Sequence, residues 1–172
     1  LTPMTNIIMK NGGTIDKYMG DCIMAFWNAP IDAPNHKEMA IDSALEMIDK
    51  LKELNNSNAF GDGNKLNIGI GINSGEAVVG NMGSEQRFDY SVLGDAVNLA
   101  SRLEGISKNY DATVVVGEDT YNSISSKYNF QKLDDVQVKG KSNKVSIYTV
   151  RESNDTITKE ETTKKIEQTN TI

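Results

Sequence analysis

The chain has 172 residues, 38% of them hydrophobic and 24% charged, with a formal net charge of −6; that is an ordinary soluble composition for one domain, and a chain of this length buries roughly 70% of its unfolded surface. The acidic excess argues against a general nucleic-acid binder, which carries a basic patch. His36 and Cys22 are the sole histidine and cysteine, which argues against a zinc centre and excludes an internal disulfide, and no run of about 18 apolar residues offers a membrane span.

Leu1 to Lys10 reads as the end of a helix, with Met4, Ile7 and Ile8 on one side and Asn11-Gly12-Gly13 ending it. Thr14 to Met19 and Cys22 to Trp27 are apolar-rich runs separated by Gly20-Asp21, which predicts a tight hairpin. Cys22, set in a strand, is expected to be buried as a small apolar residue. After a loop over Ala29 to Pro34, Asn35 is placed to cap a helix with Glu38 as its capping-box partner. Ile41, Ala44, Leu45, Ile48, Leu51 and Leu54 give that helix its core face, and Asn55 to Asn64 is a polar loop.

Leu66, Ile68, Ile70 and Ile72 alternate with small or polar residues, the pattern of a strand buried on one face. Asn73-Ser74-Gly75 turns the chain into a second strand, Glu76 to Gly80. Ala112 to Val116 reads as a strand, Glu118 to Lys127 as a short helix, and Phe130 to Val138 and Lys144 to Val150 as closing strands. Arg151 to Ile172 has almost no apolar residues and is expected to be a disordered tail. Hairpins mixed with helices point to an α+β fold rather than a doubly wound parallel sheet.

The stretch Phe88 to Glu104, FDYSVLGDAVNLASRLE, reads as strand, Gly94-Asp95 turn and helix, with Asp95 capping the helix start. Ala96, Leu99, Ala100, Leu103 and Ile106 form its core stripe. Asn98 and Arg102 stack one turn apart on another face, where an amide and a guanidinium suit an anionic group at the mouth of the turn. Asp21 sits at a hairpin tip, and hard cations such as Mg2+ or Mn2+ take such oxygen ligands together with phosphates.

This stretch and the upstream GGTIDKYMGDCIMAFW, Gly12 to Trp27, resemble the two signatures of class III nucleotidyl cyclases, in the family's order and at about its separation. The resemblance covers Leu1 to about Val150. It implies a ferredoxin-like, antiparallel-rich sheet with helices on one side, a catalytic domain over 1–150, and conversion of ATP to cyclic AMP and pyrophosphate with two divalent metal ions. Asp21 matches one of the family's two metal aspartates. Lys17 matches the position that reads the purine, where lysine goes with adenine and glutamate with guanine. Ser91 matches the second purine-reading position, where many adenylate cyclases carry Asp or Thr; its hydroxyl both donates and accepts, leaving that contact open. Asn98 and Arg102 match the pair that steadies the ribose and the transferring phosphorus, Lys139 matches a lysine on the terminal phosphates, and Lys141 is a weaker candidate there. Gly69 falls where some cyclases carry a triphosphate-binding arginine.

The resemblance further implies a head-to-tail homodimer with sites at the interface. Lys17, Ser91, Asn98, Arg102 and Lys139 would lie on one side and Asp21 on the other. No membrane contact by this segment is expected, and the expected location is cytoplasmic, including as the cytoplasmic part of a membrane protein. The family's first-strand phrase, Phe-x-Asp-Ile-x-Gly-Phe, with the other metal aspartate, does not occur here. The chain, beginning at Leu1, is therefore expected to be a fragment with little activity of its own. A guanylate cyclase and a non-catalytic nucleotide-binding or dimerisation module are the alternative readings.

Overall fold

The computed structural model describes residues 1–137 and 144–151. In chain order the elements are α1 (Thr2–Lys10), β1 (Thr14–Met19), β2 (Cys22–Phe26), α2 (His36–Asn56), β3 (Ile70–Ile72), β4 (Val78–Ser84), β5 (Arg87–Leu93), α3 (Asp95–Ile106), a 3-10 turn (Ser107–Tyr110), β6 (Val114–Gly117), α4 (Glu118–Ile124), β7 (Asn129–Gln137) and β8 (Lys144–Arg151). Lys139, Lys141 and all of the expected tail except Arg151 lie outside the described residues. Arg151 itself closes β8.

The fold is α+β, as the mixture of elements predicted. Its main sheet has the order β3-β6-β8-β7. β3 runs parallel to β6, and the other pairs are antiparallel. β1-β2 and β4-β5 are two separate antiparallel ribbons. β6 is the sheet's hydrophobic spine, because Val114, Val115 and Val116 alternate between its faces and all three are buried. Val114 and Val116 pack with Ile41 and Ala44 of α2, Ile124 of α4 and Val150. Val115 packs on the opposite face with Ile147 and with Leu99 and Leu103 of α3. Helices therefore cover both faces, where the resemblance implied one; a run of three valines has an apolar side chain to bury on each side.

Other expectations are adjusted by the tertiary setting. Of the strand read from Leu66 to Ile72, only Ile70–Ile72 joins the ladder, because its partner β6 starts at Val114. Leu66 instead exchanges backbone hydrogen bonds with the Asn55 side chain. Strand β4 runs to Ser84, longer than expected, as half of a seven-pair ribbon with β5. α4 stops at Ile124 and a turn follows, closed by Lys127 N–H donating to the Ile124 carbonyl. Asn35 is the N-cap of α2 but makes no side-chain cap bond. Glu38 turns away from the cap to pair with Lys127. The N-cap of α3 is Gly94, and Asp95 is the first helical residue, where its charge suits the positive end of the helix dipole. Cys22 is exposed, since it directly follows the hairpin turn and pairs with Met19 at the turn end of the ribbon. Partial burial pushes its thiol above the ordinary range, and the charges of Glu104 and Asp21 add to the effect.

Candidate active site

The β1–β2 ribbon carries Lys17 on its first strand and Asp21 in its turn. Gly20 takes φ +63°, a left-handed value that glycine adopts without a steric penalty. Pairing runs Ile15 with Ala25 and then Lys17 with Met24, so the register shifts around Asp16. A bulge of this kind re-aims side chains. Asp16 has a side chain with 0% exposure, whereas its neighbour Lys17 is 46% exposed.

Ser91 arrives from the other ribbon. It lies on β5 opposite Gly80 of β4 and is buried. The rings of Phe26 on β2 and Tyr90 on β5, 6.1 Å apart, help hold the two ribbons together. Three side chains meet between them. Ser91 Oγ donates to Asp16 Oδ2 at 3.0 Å. Lys17 Nζ donates to Ser91 Oγ at 3.4 Å and stands 3.5 Å from Asp16 Oδ1. Asp16 Oδ1 is buried and accepts no hydrogen bond, so that second contact is an ion pair only. The fold thus brings together Lys17 and Ser91, which are 74 residues apart in the chain.

Asp16 joins them and was not among the residues singled out from the sequence. In TIDKYM an acidic residue before a lysine reads as part of a solvated strand face. The one local signal is a charge inside an otherwise apolar-rich run, and the bulge that buries it is invisible without the partner strand.

Asn98 and Arg102 project from α3, both exposed, on the face away from buried Leu99 and Leu103. The helix is seated by its contact with β3, where Gly71 lies against the backbone of Ala100 and Glu104. Gly94 is confined at the helix entry, for a Cβ there would stand 3.1 Å from the Glu76 carbonyl oxygen. Asp21 is exposed at its turn. Gly69 abuts Ser107 and Glu104, so a larger side chain there has no free space.

Among the described residues, no group of three or more His, Cys, Asp or Glu side chains converges to hold a metal ion. Asp21 by itself does not make a two-ion site. No described helix is long and apolar enough to cross a membrane.

Comparison with known proteins gives this arrangement a context. The family model for the adenylate and guanylate cyclase catalytic domain matches residues 2–152. Adenylate cyclase 1 of Rhizobium meliloti (strain 1021) is 33% identical over 146 residues, covering 85% of this chain and 22% of that protein. The adenylate cyclase of Anabaena cylindrica is 36% identical over 158 residues, covering 88% of this chain and 30% of that protein. The chain therefore spans less than a third of the length of these curated relatives. The crystal structure of the adenylyl cyclase CyaB from P. aeruginosa aligns with a TM-score of 0.74 at 34% identity, over 91% of this chain and 81% of that one. The catalytic core of a rhodopsin-guanylyl cyclase with converted specificity, in complex with ATPalphaS, aligns with a TM-score of 0.72 at 29% identity, over 87% of this chain and 77% of that one. A match over nearly the whole chain, on a fold shared with solved cyclase domains, shows that this chain belongs to the family of adenylate and guanylate cyclase catalytic domains.

Proposed function

We propose that this chain is the catalytic domain of an adenylate cyclase, forming 3′,5′-cyclic AMP and pyrophosphate from ATP in intracellular signalling, with the domain spanning residues 1–150. The observation that carries the reading is the meeting of Lys17 with Ser91 between the two ribbons. An ammonium donor complements adenine N1, an acceptor, whereas guanine presents an N–H donor there. A mismatch leaves a polar group unpaired once the base covers it, which is expensive.

In the reaction the ribose 3′-hydroxyl gives up its proton to solvent as its oxygen forms a bond to the α-phosphorus, and the bond from that phosphorus to the bridging oxygen of the β-phosphate breaks. Negative charge grows on the phosphoryl oxygens and the leaving pyrophosphate. Asn98 and Arg102, one helical turn apart on α3, are the donors assigned to that charge, and Lys139 is assigned to the terminal phosphates. Prepositioned donors of this kind commonly supply the largest part of such a rate enhancement. Two divalent ions, Mg2+ or Mn2+, belong to the reading as cofactors, with Asp21 as the ligand this chain offers. The described residues do not complete their site. For the same reason the chain alone is expected to turn over slowly; formation of cyclic AMP from Mn-ATP at an ordinary cyclase rate would refute that expectation.

Dimerisation fits the exposed apolar side chains around the site. Val78 and Leu93 are a cross-strand pair at 69% and 62% exposure, and Phe88, two positions after the turn, is 62% exposed. Phe88, five residues from Leu93 on β5, leaves the opposite face of the ribbon, so the Val78–Leu93 pair is the apolar patch to which the reading assigns a second copy of the chain.

Isothermal titration of the chain with ATP and with GTP tests the base assignment. ATP is expected to bind more tightly, and Lys17→Glu to cut the ATP-over-GTP ratio by roughly 10- to 100-fold. A ratio unchanged by that substitution refutes the role of Lys17. Among the described residues no further ligands gather at Asp21, which favours a second reading, a non-catalytic nucleotide-binding or dimerisation module. Sequencing the coding DNA upstream of Leu1 separates the two: an aspartate in a Phe-x-Asp-Ile-like strand supports the cyclase, and its replacement supports the module.

A further inference from the structure

We infer that Asp16 sets the base preference of the site by fixing the polarity of the Ser91 hydroxyl, so that Ser91 presents an acceptor to the 6-amino group of adenine. The inference rests on the cyclase reading above and adds to it a positioning residue that touches no substrate. A serine hydroxyl has one proton and two lone pairs, so in isolation it serves adenine and guanine equally. Here the proton is committed. Ser91 Oγ is 3.0 Å from Asp16 Oδ2, and a carboxylate only accepts, so Ser91 is the donor. Lys17 Nζ, an ammonium, likewise only donates, and it faces the same oxygen at 3.4 Å. What remains for a base is a lone pair. Adenine offers an N–H at its 6-position, and guanine offers a carbonyl oxygen that a lone pair repels.

The commitment is strong because of where Asp16 sits. Its side chain is wholly buried, and its other oxygen, Oδ1, accepts no hydrogen bond. Were Ser91 to swing its proton toward a guanine O6, the carboxylate would be left buried without that bond as well. The bulge in β1 is what delivers Asp16 to this place, while Lys17, the next residue, stays half-exposed beside Ser91 and Asp16. Gly80, across the ladder from Ser91, adds no side chain, and a Cβ there would meet nothing within 4 Å, so space for a base edge is open beside the hydroxyl.

The test is equilibrium binding of three nucleoside triphosphates to the full chain in the presence of Mn2+: ATP, inosine triphosphate, which carries a 6-oxygen, and purine riboside triphosphate, which carries only hydrogen at that position. The unsubstituted chain is expected to bind ATP about tenfold more tightly than purine riboside triphosphate, equivalent to ~1.4 kcal/mol, and about 100-fold more tightly than the inosine nucleotide, whose N1–H also faces the Lys17 ammonium. In Asp16→Asn the amide NH2 donates to Ser91 and releases its proton. The ATP-over-inosine ratio should then fall about tenfold, chiefly because the inosine nucleotide binds better. Ser91→Ala should also narrow the ratio, and Asp16→Asn should add nothing in that background. A buried pair that merely braced the two ribbons would weaken all three nucleotides alike.

An Asp16→Asn chain that binds ATP with an unchanged ratio overturns the inference. Should that variant fail to fold, equal binding of ATP and purine riboside triphosphate to the unsubstituted chain overturns it instead. If Lys17→Glu shifts base preference while Asp16→Asn does not, the cyclase reading stands and only the role of Asp16 falls. If the unsubstituted chain binds none of the three, the cyclase reading fails for this chain and the inference fails with it.

Discussion

Gly71→Ala should loosen the helix that carries Asn98 and Arg102. Gly71 is the middle residue of β3, paired with Val115, and α3 lies directly against it. A Cβ at this position would stand 3.0 Å from Glu104 Cα, and closer still to the Ala100 carbonyl oxygen and the Glu104 amide nitrogen. All three are helix backbone, so no flexible side chain can give way. Restoring an ordinary contact of 3.4–4 Å to the closest of these atoms requires α3 to move outward by more than about 1 Å. Overpacking of that size costs about 1–3 kcal/mol. In a protein of 172 residues a 2 kcal/mol loss lowers Tm by about 4–8 °C. Because Leu99 and Leu103 on the same helix pack on Val115 and Ile147, the shift also opens the core beneath α3.

Thermal unfolding followed by circular dichroism measures the effect, with Gly105→Ala as the control. Gly105 lies in α3 as well, but nothing stands within 4 Å of a Cβ there. That substitution should leave the protein unchanged or raise its stability by about 0.4–1 kcal/mol, since it reduces the freedom of the unfolded chain. Gly71→Ala with a Tm within about 1 °C of the unsubstituted chain would show that α3 is not seated on β3 as described.

Against the slow turnover of the unsubstituted chain, Arg102→Ala is expected to reduce cyclic AMP formation by roughly a further 10²–10³, while ATP affinity changes little, because the residue acts on charge that appears only in the transition state. A loss confined to ATP affinity would instead make it a ground-state contact. In acid, the Glu38–Lys127 pair should be felt. The hydrogen bond from Lys127 holds the Glu38 carboxyl below its ordinary value of 4.5, with a backbone hydrogen bond assisting and burial opposing. A depressed carboxylate contributes stability that is fully present above that value and is lost as pH falls through the lower folded value. Tm measured from pH 6 down to pH 3 should therefore fall less steeply in Lys127→Met than in the unsubstituted chain; identical slopes would remove the pair from the acid response.

Local chemistry was legible in the chain where it did not depend on a distant partner. Gly20-Asp21 between two apolar-rich runs specifies a hairpin because glycine accepts the left-handed backbone that the turn needs. Leu99 and Leu103 mark the inner face of α3 because a helix repeats every 3.6 residues, and both are buried. The motifs around Lys17, Ser91, Asn98 and Arg102 pointed to the family for the same reason: they lie in short continuous stretches. Capping was less legible. Asn35 and Asp95 are both good cap residues, yet Glu38 finds Lys127, 89 residues away, and Gly94 takes the cap position that Asp95 was expected to hold.

Composition, turn chemistry and periodicity thus determined the α+β class and the order of most elements, and the resemblance of two short motifs pointed to the family. The tertiary structure decided what no spacing encodes: which faces of β6 each helix covers, that Cys22 stays exposed at its ribbon's end, and that Asp16 is buried between Ser91 and Lys17. Periodicity records only whether a side chain faces in or out of its own element. The partner it meets there is set by how two ribbons dock across some 75 residues of chain, and a one-residue bulge is enough to turn a solvent-facing aspartate into a buried one.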